Sequence, residues 1–224
     1  MNIKALKSQI ASLDVDAQYS FTPVCPNELP IPSGHEIVDE LNRQATFATY
    51  RIGSKDAHSP KAKWVATKEN PVLSKIEGKN IDVRWPEHCV PGTKGFENLE
   101  GLPHPHDYDF YVWKGVEPDM HPYGACYHDL QDKLSTGVIE FLHQKKVTTV
   151  IVGGLATDYC LKNTVMQLLK AGFITIVNLG ASRGLAPKTT RDAIELMKQN
   201  GAIIIQSSAE LPTLLNNFEL TIAK

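Results

Sequence analysis

Cys160 follows an apolar, β-branched run, Val147 to Val152, and two glycines, Gly153 and Gly154. That order reads as a buried strand, a tight turn and the opening of a helix. Thr157 or Asp158 is placed to cap the helix. A cysteine in a first helical turn meets unpaired backbone N–H groups and the positive end of the helix dipole, and both favour a thiolate. At the carboxyl end of a strand in an α/β sheet, such a sulfur is a candidate nucleophile. It also reads as a buried, inert thiol. A nucleophile needs a base and a group that favours its ionised form.

Several other residues could supply those parts. Asp14 and Asp16 close a first apolar segment, Ile10 to Val15. Carboxylates at strand ends are either catalytic acids or turn residues. Lys114 ends the alternating run Asp109 to Trp113, beside Gly115, where it could reach the same crevice and favour an ionised neighbour. Otherwise it is a solvated lysine. Asp56 and His58, one residue apart in an extended segment, can turn toward one ion, and carboxylate with imidazole suits zinc, manganese or iron. Two ligands are too few, and His88, in Trp85-Pro-Glu-His-Cys89, is a candidate third. Trp85 offers a flat wall for a ring. His104, His106 and Asp107 sit among prolines and read as a surface turn.

The elements that would carry these residues follow from periodicity. Thr22 to Gly34 holds four prolines and must be irregular. Ser33 to Ala45 has helical spacing, Thr46 to Ile52 reads as a second strand, and Pro60 to Lys79 as a long loop. Asp129 to Lys146 reads as one helix with Leu134, Val138, Phe141 and Leu142 on a stripe. Phe173 to Leu179 is a strand, Pro187 to Asn200 a helix, Ala202 to Gln206 a strand and Ser207 to Asn217 a short helix. This βαβαβα half demands right-handed crossovers and a mainly parallel sheet. The expected fold is a three-layer α/β/α sandwich.

With 224 residues, 42% hydrophobic and 21% charged, the chain suits a single domain over 1–224. A net charge of -2 speaks against a nucleic-acid partner. No apolar run is long enough to span a membrane, and the first ten residues lack the pattern of a signal peptide. Cys25, Cys89, Cys126 and Cys160 form no Cys-x-x-Cys pair, so a reducing cytoplasm is expected.

Four segments together resemble one family, the isochorismatase-like cysteine hydrolases, and within it the nicotinamidase branch. Gly153-Gly-Leu-Ala-Thr-Asp-Tyr-Cys160 resembles the nucleophile turn. Asp16-Ala-Gln-Tyr-Ser-Phe21 is similar to the segment after the first strand. Lys114-Gly-Val-Glu-Pro-Asp-Met-His-Pro-Tyr123 resembles the segment of the catalytic lysine. Asp56-Ala-His58 with Trp85-Pro-Glu-His-Cys89 resembles the metal-binding half. The segments keep the family's order along nearly the whole chain.

The resemblance implies a triad of Asp16, Lys114 and Cys160, and an oxyanion hole from the N–H groups of Ala156 and Cys160 with Leu155–Ala156 cis. It implies one divalent ion, zinc with manganese or iron as alternatives, on Asp56, His58 and His88. Phe21 and Trp85 would hold a pyridine ring, and Tyr123 and Tyr159 would line the pocket. Two departures stand out. Tyr19-Ser20 replaces the family's Asn-Asp pair. Ser59 to Trp64 lacks the second histidine of many members, which implies three protein ligands with water completing the shell. The implied activity is hydrolysis of nicotinamide to nicotinate and ammonia through a thioester, in salvage toward NAD. Homo-oligomerisation is left open. A related cysteine amidase for another small amide or ureido compound would keep the triad without needing the metal residues. A nucleotide-binding module would want a Gly-x-Gly-x-x-Gly after a strand, and none is present.

Overall fold

The computed structural model describes residues 9–222; the first eight residues of the N-terminal segment read above lie outside it. Six strands form one sheet in the order β3-β2-β1-β4-β5-β6, every neighbouring pair parallel. They are β1 Ile10–Val15, β2 Tyr50–Asp56, β3 Phe110–Lys114, β4 Thr149–Leu155, β5 Ile174–Arg183 and β6 Ile203–Ile205. The helices are α1 Val38–Ala45, α2 Val138–Gln144, α3 Lys162–Lys170, α4 Pro187–Gln199 and α5 Leu211–Ile222. Leu13, Val15, Val150, Val152 and Val177 pack one face against α2, α3 and α4, while Ile151, Ile176 and Ile205 pack the other against α5. Alternating side chains of a parallel sheet thus serve two apolar layers, the three-layer arrangement the sequence implies. No helix of the described residues is long and apolar enough to cross a membrane.

The chain winds outward from β1 through β2 to β3, then restarts at β4 and winds the other way. The reversal lies between β1 and β4, and a crevice opens there at the strands' carboxyl ends. Asp16 follows β1, Asp56 ends β2, Lys114 ends β3 and the Cys160 turn follows β4. Four residues far apart in sequence are therefore carried to one rim by topology alone.

Several boundaries differ from expectation. Residues 46–48 continue the turns off α1, and β2 starts at Tyr50 and runs on to Asp56. Pairing with β3 on one side, and bonds from the Asp16 N–H to Ser54 and from the Gln18 side-chain amide to Asp56 on the other, satisfy the backbone of the polar Ser54-Lys55-Asp56 stretch, which local propensity disfavours. The helix expected over Asp129 to Lys146 shrinks to Val138–Gln144. The Asp129 carboxylate accepts from the N–H groups of Gln131, Lys133 and Leu134 and folds that stretch into a turn, leaving Leu134 half exposed. β5 runs on to Arg183, past the expected Leu179.

Gly153 and Gly154 do not end β4 but lie inside it, at a register shift. Their use is close approach. Gly154 has φ +132°, and a Cβ there would stand 2.0 Å from the Val15 carbonyl oxygen. Gly154→Ala is expected to destabilise the protein by about 2–3 kcal/mol or more, since both the backbone conformation and the β1–β4 contact oppose a side chain. The denaturant midpoint measures it, and a midpoint equal to wild type would contradict this reading of the strand.

Candidate active site

Asp16 stands just beyond β1 with a left-handed φ of +46°. Its N–H donates to the Ser54 carbonyl (3.1 Å), and the Ser54 hydroxyl donates to Oδ1 (2.7 Å). These bonds hold an aspartate in a backbone conformation that asparagine and aspartate tolerate better than most residues. Gln18, two residues on, uses its side-chain amide as a strand would: Nε2 donates to the Asp56 carbonyl (2.9 Å) and Oε1 accepts from the Asp56 N–H (2.8 Å). The ends of β1 and β2 are thereby locked together. Asp14, the other candidate acid, is committed elsewhere, to Arg51 (2.7 Å) and the Tyr108 hydroxyl (2.9 Å).

Lys114 is fully buried. Its ammonium lies 3.0 Å from Asp16 Oδ2, against Asp56 Oδ1, and 3.7 Å from Cys160 Sγ. Burial would lower its pKa, but the two carboxylates override that and hold it well above the ordinary lysine value. The carboxylates divide. Burial lifts Asp16 above the usual range, against the pull of Lys114 and with the push of Asp56. Burial would lift Asp56 too, but Lys114 and then His58 hold it well below that range. One acid is thus suited to carry a proton and the other to stay ionised.

Cys160 is 6% exposed and sits in a π-turn, Thr157–Leu161, ahead of α3. The expectation of a favoured thiolate is not met. Burial pushes the thiol well above its ordinary value, Lys114 opposes this, and the negative Asp56 and Asp16 reinforce it. Dehydration is the largest cause. The Leu155–Ala156 peptide bond is cis, and the Ala156 carbonyl accepts from Tyr159 N–H and Leu161 N–H, both at 3.1 Å.

Neither Thr157 nor Asp158 caps its own helix. The Asp158 carboxylate instead accepts from the N–H groups of Leu185 (2.9 Å) and Ala186 (3.3 Å) and from the Thr189 hydroxyl. It ties the cysteine turn to the start of α4.

Histidines gather beside the triad. His58 Nδ1 faces the Gly115 carbonyl (3.0 Å) and His88 Nδ1 faces the Pro86 carbonyl (2.7 Å). With Nδ1–H donating in each, both Nε2 lone pairs are left free, which is the usual support for a metal-binding imidazole. His58 Nε2 is 3.5 Å from Asp56 Oδ2. The Asp56, His58 and His88 of the sequence reading are therefore together, and their donor set fits a divalent cation. Three protein donors were expected, but a further imidazole, His121, stands with them. One nitrogen each of His58, His88 and His121 lies within 4.8 Å of the others. Burial and the neighbouring His58 drive His88 down to about 3 and His121 well below the ordinary value, so both are neutral donors. His121 lies inside the segment already singled out for Lys114, but a lone histidine between Met120 and Pro122 carries no local signal.

Aromatic rings complete the wall. Trp85 Nε1 donates to the Tyr123 hydroxyl (3.2 Å), which donates to Asp82 (2.8 Å). Trp85 meets Tyr159 edge-on with centroids 4.9 Å apart, and Phe21 meets His88 at 5.7 Å. Ser20 and Glu28 both accept from the Cys89 N–H, at 2.7 and 3.1 Å, so Ser20 of the changed Tyr19-Ser20 pair anchors the His88 loop. His104 and His106 stack on each other in an exposed turn, away from these residues, as the sequence suggests. The cavity enclosed by Phe21, Trp85, Tyr123, Tyr159 and Cys160 is about 20 Å³, room for about one water. Leu29, Ile31 and Leu185 line the same cavity.

Asp158→Ala is expected to cost about 1–3 kcal/mol in a urea titration, because it strands two amides and a hydroxyl. Loss of less than about 0.5 kcal/mol would detach Asp158 from this role.

The Isochorismatase domain family matches residues 42–209. The nicotinamidase of Escherichia coli K12 is 30% identical over 203 residues, 87% of this chain and 93% of that protein. A solved nicotinamidase/pyrazinamidase from Acinetobacter baumannii superposes with a TM-score of 0.83 at 27% identity, covering 91% of this chain and 98% of the other. A Pyrococcus horikoshii pyrazinamidase solved in complex with zinc gives a TM-score of 0.70 at 26% identity, over 88% and 99% of the two chains. On sequence and on fold alike, this chain belongs to the isochorismatase family, and the relatives it matches in this range are nicotinamidases and pyrazinamidases.

Proposed function

We propose that this chain is a single-domain nicotinamidase that hydrolyses nicotinamide to nicotinate and ammonia through a thioester on Cys160. The observation that carries this reading is the buried Lys114 ammonium, in contact with both Asp16 and Asp56 and 3.7 Å from the Cys160 sulfur, with three imidazoles alongside. An inert thiol has no need of a buried lysine or of two acids held at opposite ends of their range.

The steps follow from those states. Because burial favours the neutral thiol, the sulfur attacks the carboxamide carbon as its proton passes to Asp16. The developing oxyanion is held by the N–H groups of Ala156 and Cys160, an effect worth about 3–4 kcal/mol per donor. The C–N bond breaks as Asp16 gives the proton to the departing nitrogen, which leaves as ammonia. Water then gives a proton to Asp16 and its oxygen attacks the thioester carbon; the C–S bond breaks as Asp16 returns that proton to the sulfur, and the released acid loses its own proton to solvent as nicotinate. Lys114 stays charged and keeps Asp16 aligned. Phe21 and Trp85 hold the ring, with Tyr123 and Tyr159 at the wall. Asp56, His58 and His88 would hold the ion, zinc on this nitrogen-rich donor set. When bound, the ion supplies a positive, Lewis-acidic point for the ring nitrogen. The product would feed salvage toward NAD, and four free cysteines suit a reducing cytoplasm.

Ammonia release from nicotinamide by purified protein, before and after chelation, tests the whole reading. Strong release that falls at least tenfold on chelation and returns with zinc is expected; no release from nicotinamide overturns it, and release indifferent to chelation removes the metal. Cys160→Ala and Asp16→Asn should each lower kcat by more than about 10³-fold with the folded state kept, as judged by circular dichroism. If Asp16→Asn stays within tenfold of wild type, the proton has another carrier. Benzamide, which lacks the ring nitrogen, should lose mainly in KM, and equal KM for both amides would argue against nitrogen recognition at the metal.

A further inference from the structure

We infer that His121 is a fourth protein ligand to the ion, so that this chain closes the shell itself with Asp56, His58, His88 and His121. The inference rests on the metal site proposed above and concerns what completes it.

Three independent observations converge on His121. The side chain is 3% exposed, and neither ring nitrogen has a hydrogen-bond partner among the described residues. A buried imidazole with two unanswered polar atoms is costly unless something outside the protein satisfies one of them. His58 Nε2, its neighbour in the cluster, is in the same condition. Next, a nitrogen of His121 lies within 4.8 Å of the ligand nitrogens of both His58 and His88. Small side-chain rotations bring such a set to a common centre at about 2.0–2.1 Å from each, the Zn–N distance. Finally, the backbone is fixed from two sides. The His121 N–H donates to the Asn80 carbonyl (2.8 Å), and Trp64 Nε1 donates to the adjacent Met120 carbonyl (3.0 Å).

Trp64 also explains why the stretch after His58 has no histidine. Fully buried, it meets His58 and His121 edge-on, with centroids 4.7 and 4.5 Å away, and roofs the cluster with an apolar ring. The ligand missing from that stretch is supplied instead from the loop after Lys114, seven residues beyond the lysine. Three imidazoles, with the Asp56 carboxylate beside His58, would supply zinc with four protein donors.

The test reads the metal rather than turnover. X-ray absorption at the zinc edge of the unmodified, zinc-loaded protein should count three imidazoles, and a count of two overturns the inference. The cobalt-substituted protein should show the intense visible bands of four-coordinate cobalt without substrate, and His121→Ala should weaken them several-fold as water enters. In chelator competition, His121→Ala should bind zinc at least tenfold more weakly. Zinc affinity within twofold of wild type with an unchanged cobalt spectrum removes His121 from the shell. Should His121→Ala fail to fold, the absorption count on the unmodified protein still decides. Failure of the amidase reading would instead register as no ammonia from nicotinamide, with the imidazole count untouched.

Discussion

The structure depends on keeping one ammonium dry. Lys114 ends the edge strand β3, fully buried, and two aspartates reach it from the ends of β1 and β2. A buried charge is tolerable only when paired and hydrogen-bonded, so each partner has to be fixed in place. Ser54 fixes Asp16, and the Gln18 amide fixes the backbone of Asp56. The parallel ladder sets the separation of the three strand ends. Because one positive charge stands between two negative groups, the acids cannot be equivalent. Asp56, which also faces His58, keeps its charge, and Asp16 is left ready to accept a proton. The division of labour follows from where the lysine sits.

The sulfur reaches that pair through close backbone contact. β4 can approach β1 only because Gly154 has no side chain to strike Val15. The π-turn that follows carries Cys160 to the ammonium, and Asp158 binds the turn to the start of α4. Leu185, whose N–H Asp158 holds, is also a wall of the small cavity. Positioning Cys160 and shaping the pocket are therefore one structural task. The tightness of the cavity follows from the same packing.

The two polar clusters share Asp56. One oxygen faces Lys114 and the other faces His58. Charge at the histidine cluster is thus coupled to the acid–lysine pair through one carboxylate. Around both lies an aromatic shell, Trp64, Trp85, Phe21 and Tyr123, which excludes water and raises the electrostatic stakes of every polar contact inside it.

The sequence alone singled out Asp16, Lys114, Cys160, Asp56, His58 and His88 as candidates and gave their order along the chain. Each lies in a segment that resembles a motif of the family, and residue type and near neighbours carry that likeness. The βαβ rhythm gave the sheet for the same local reason. Tertiary structure decided what depends on distant neighbours. It extended β2 through polar residues by pairing one edge with β3 and bonding the other to Asp16 and the Gln18 amide, and it dissolved most of the helix expected before β4 because Asp129 captured three amides. It turned Asp158 toward a helix other than its own. It brought His121 to the other imidazoles across a loop without periodicity. It pushed the Cys160 thiol above its ordinary pKa, because dehydration depends on every atom packed around the sulfur, and no stretch of sequence lists those atoms.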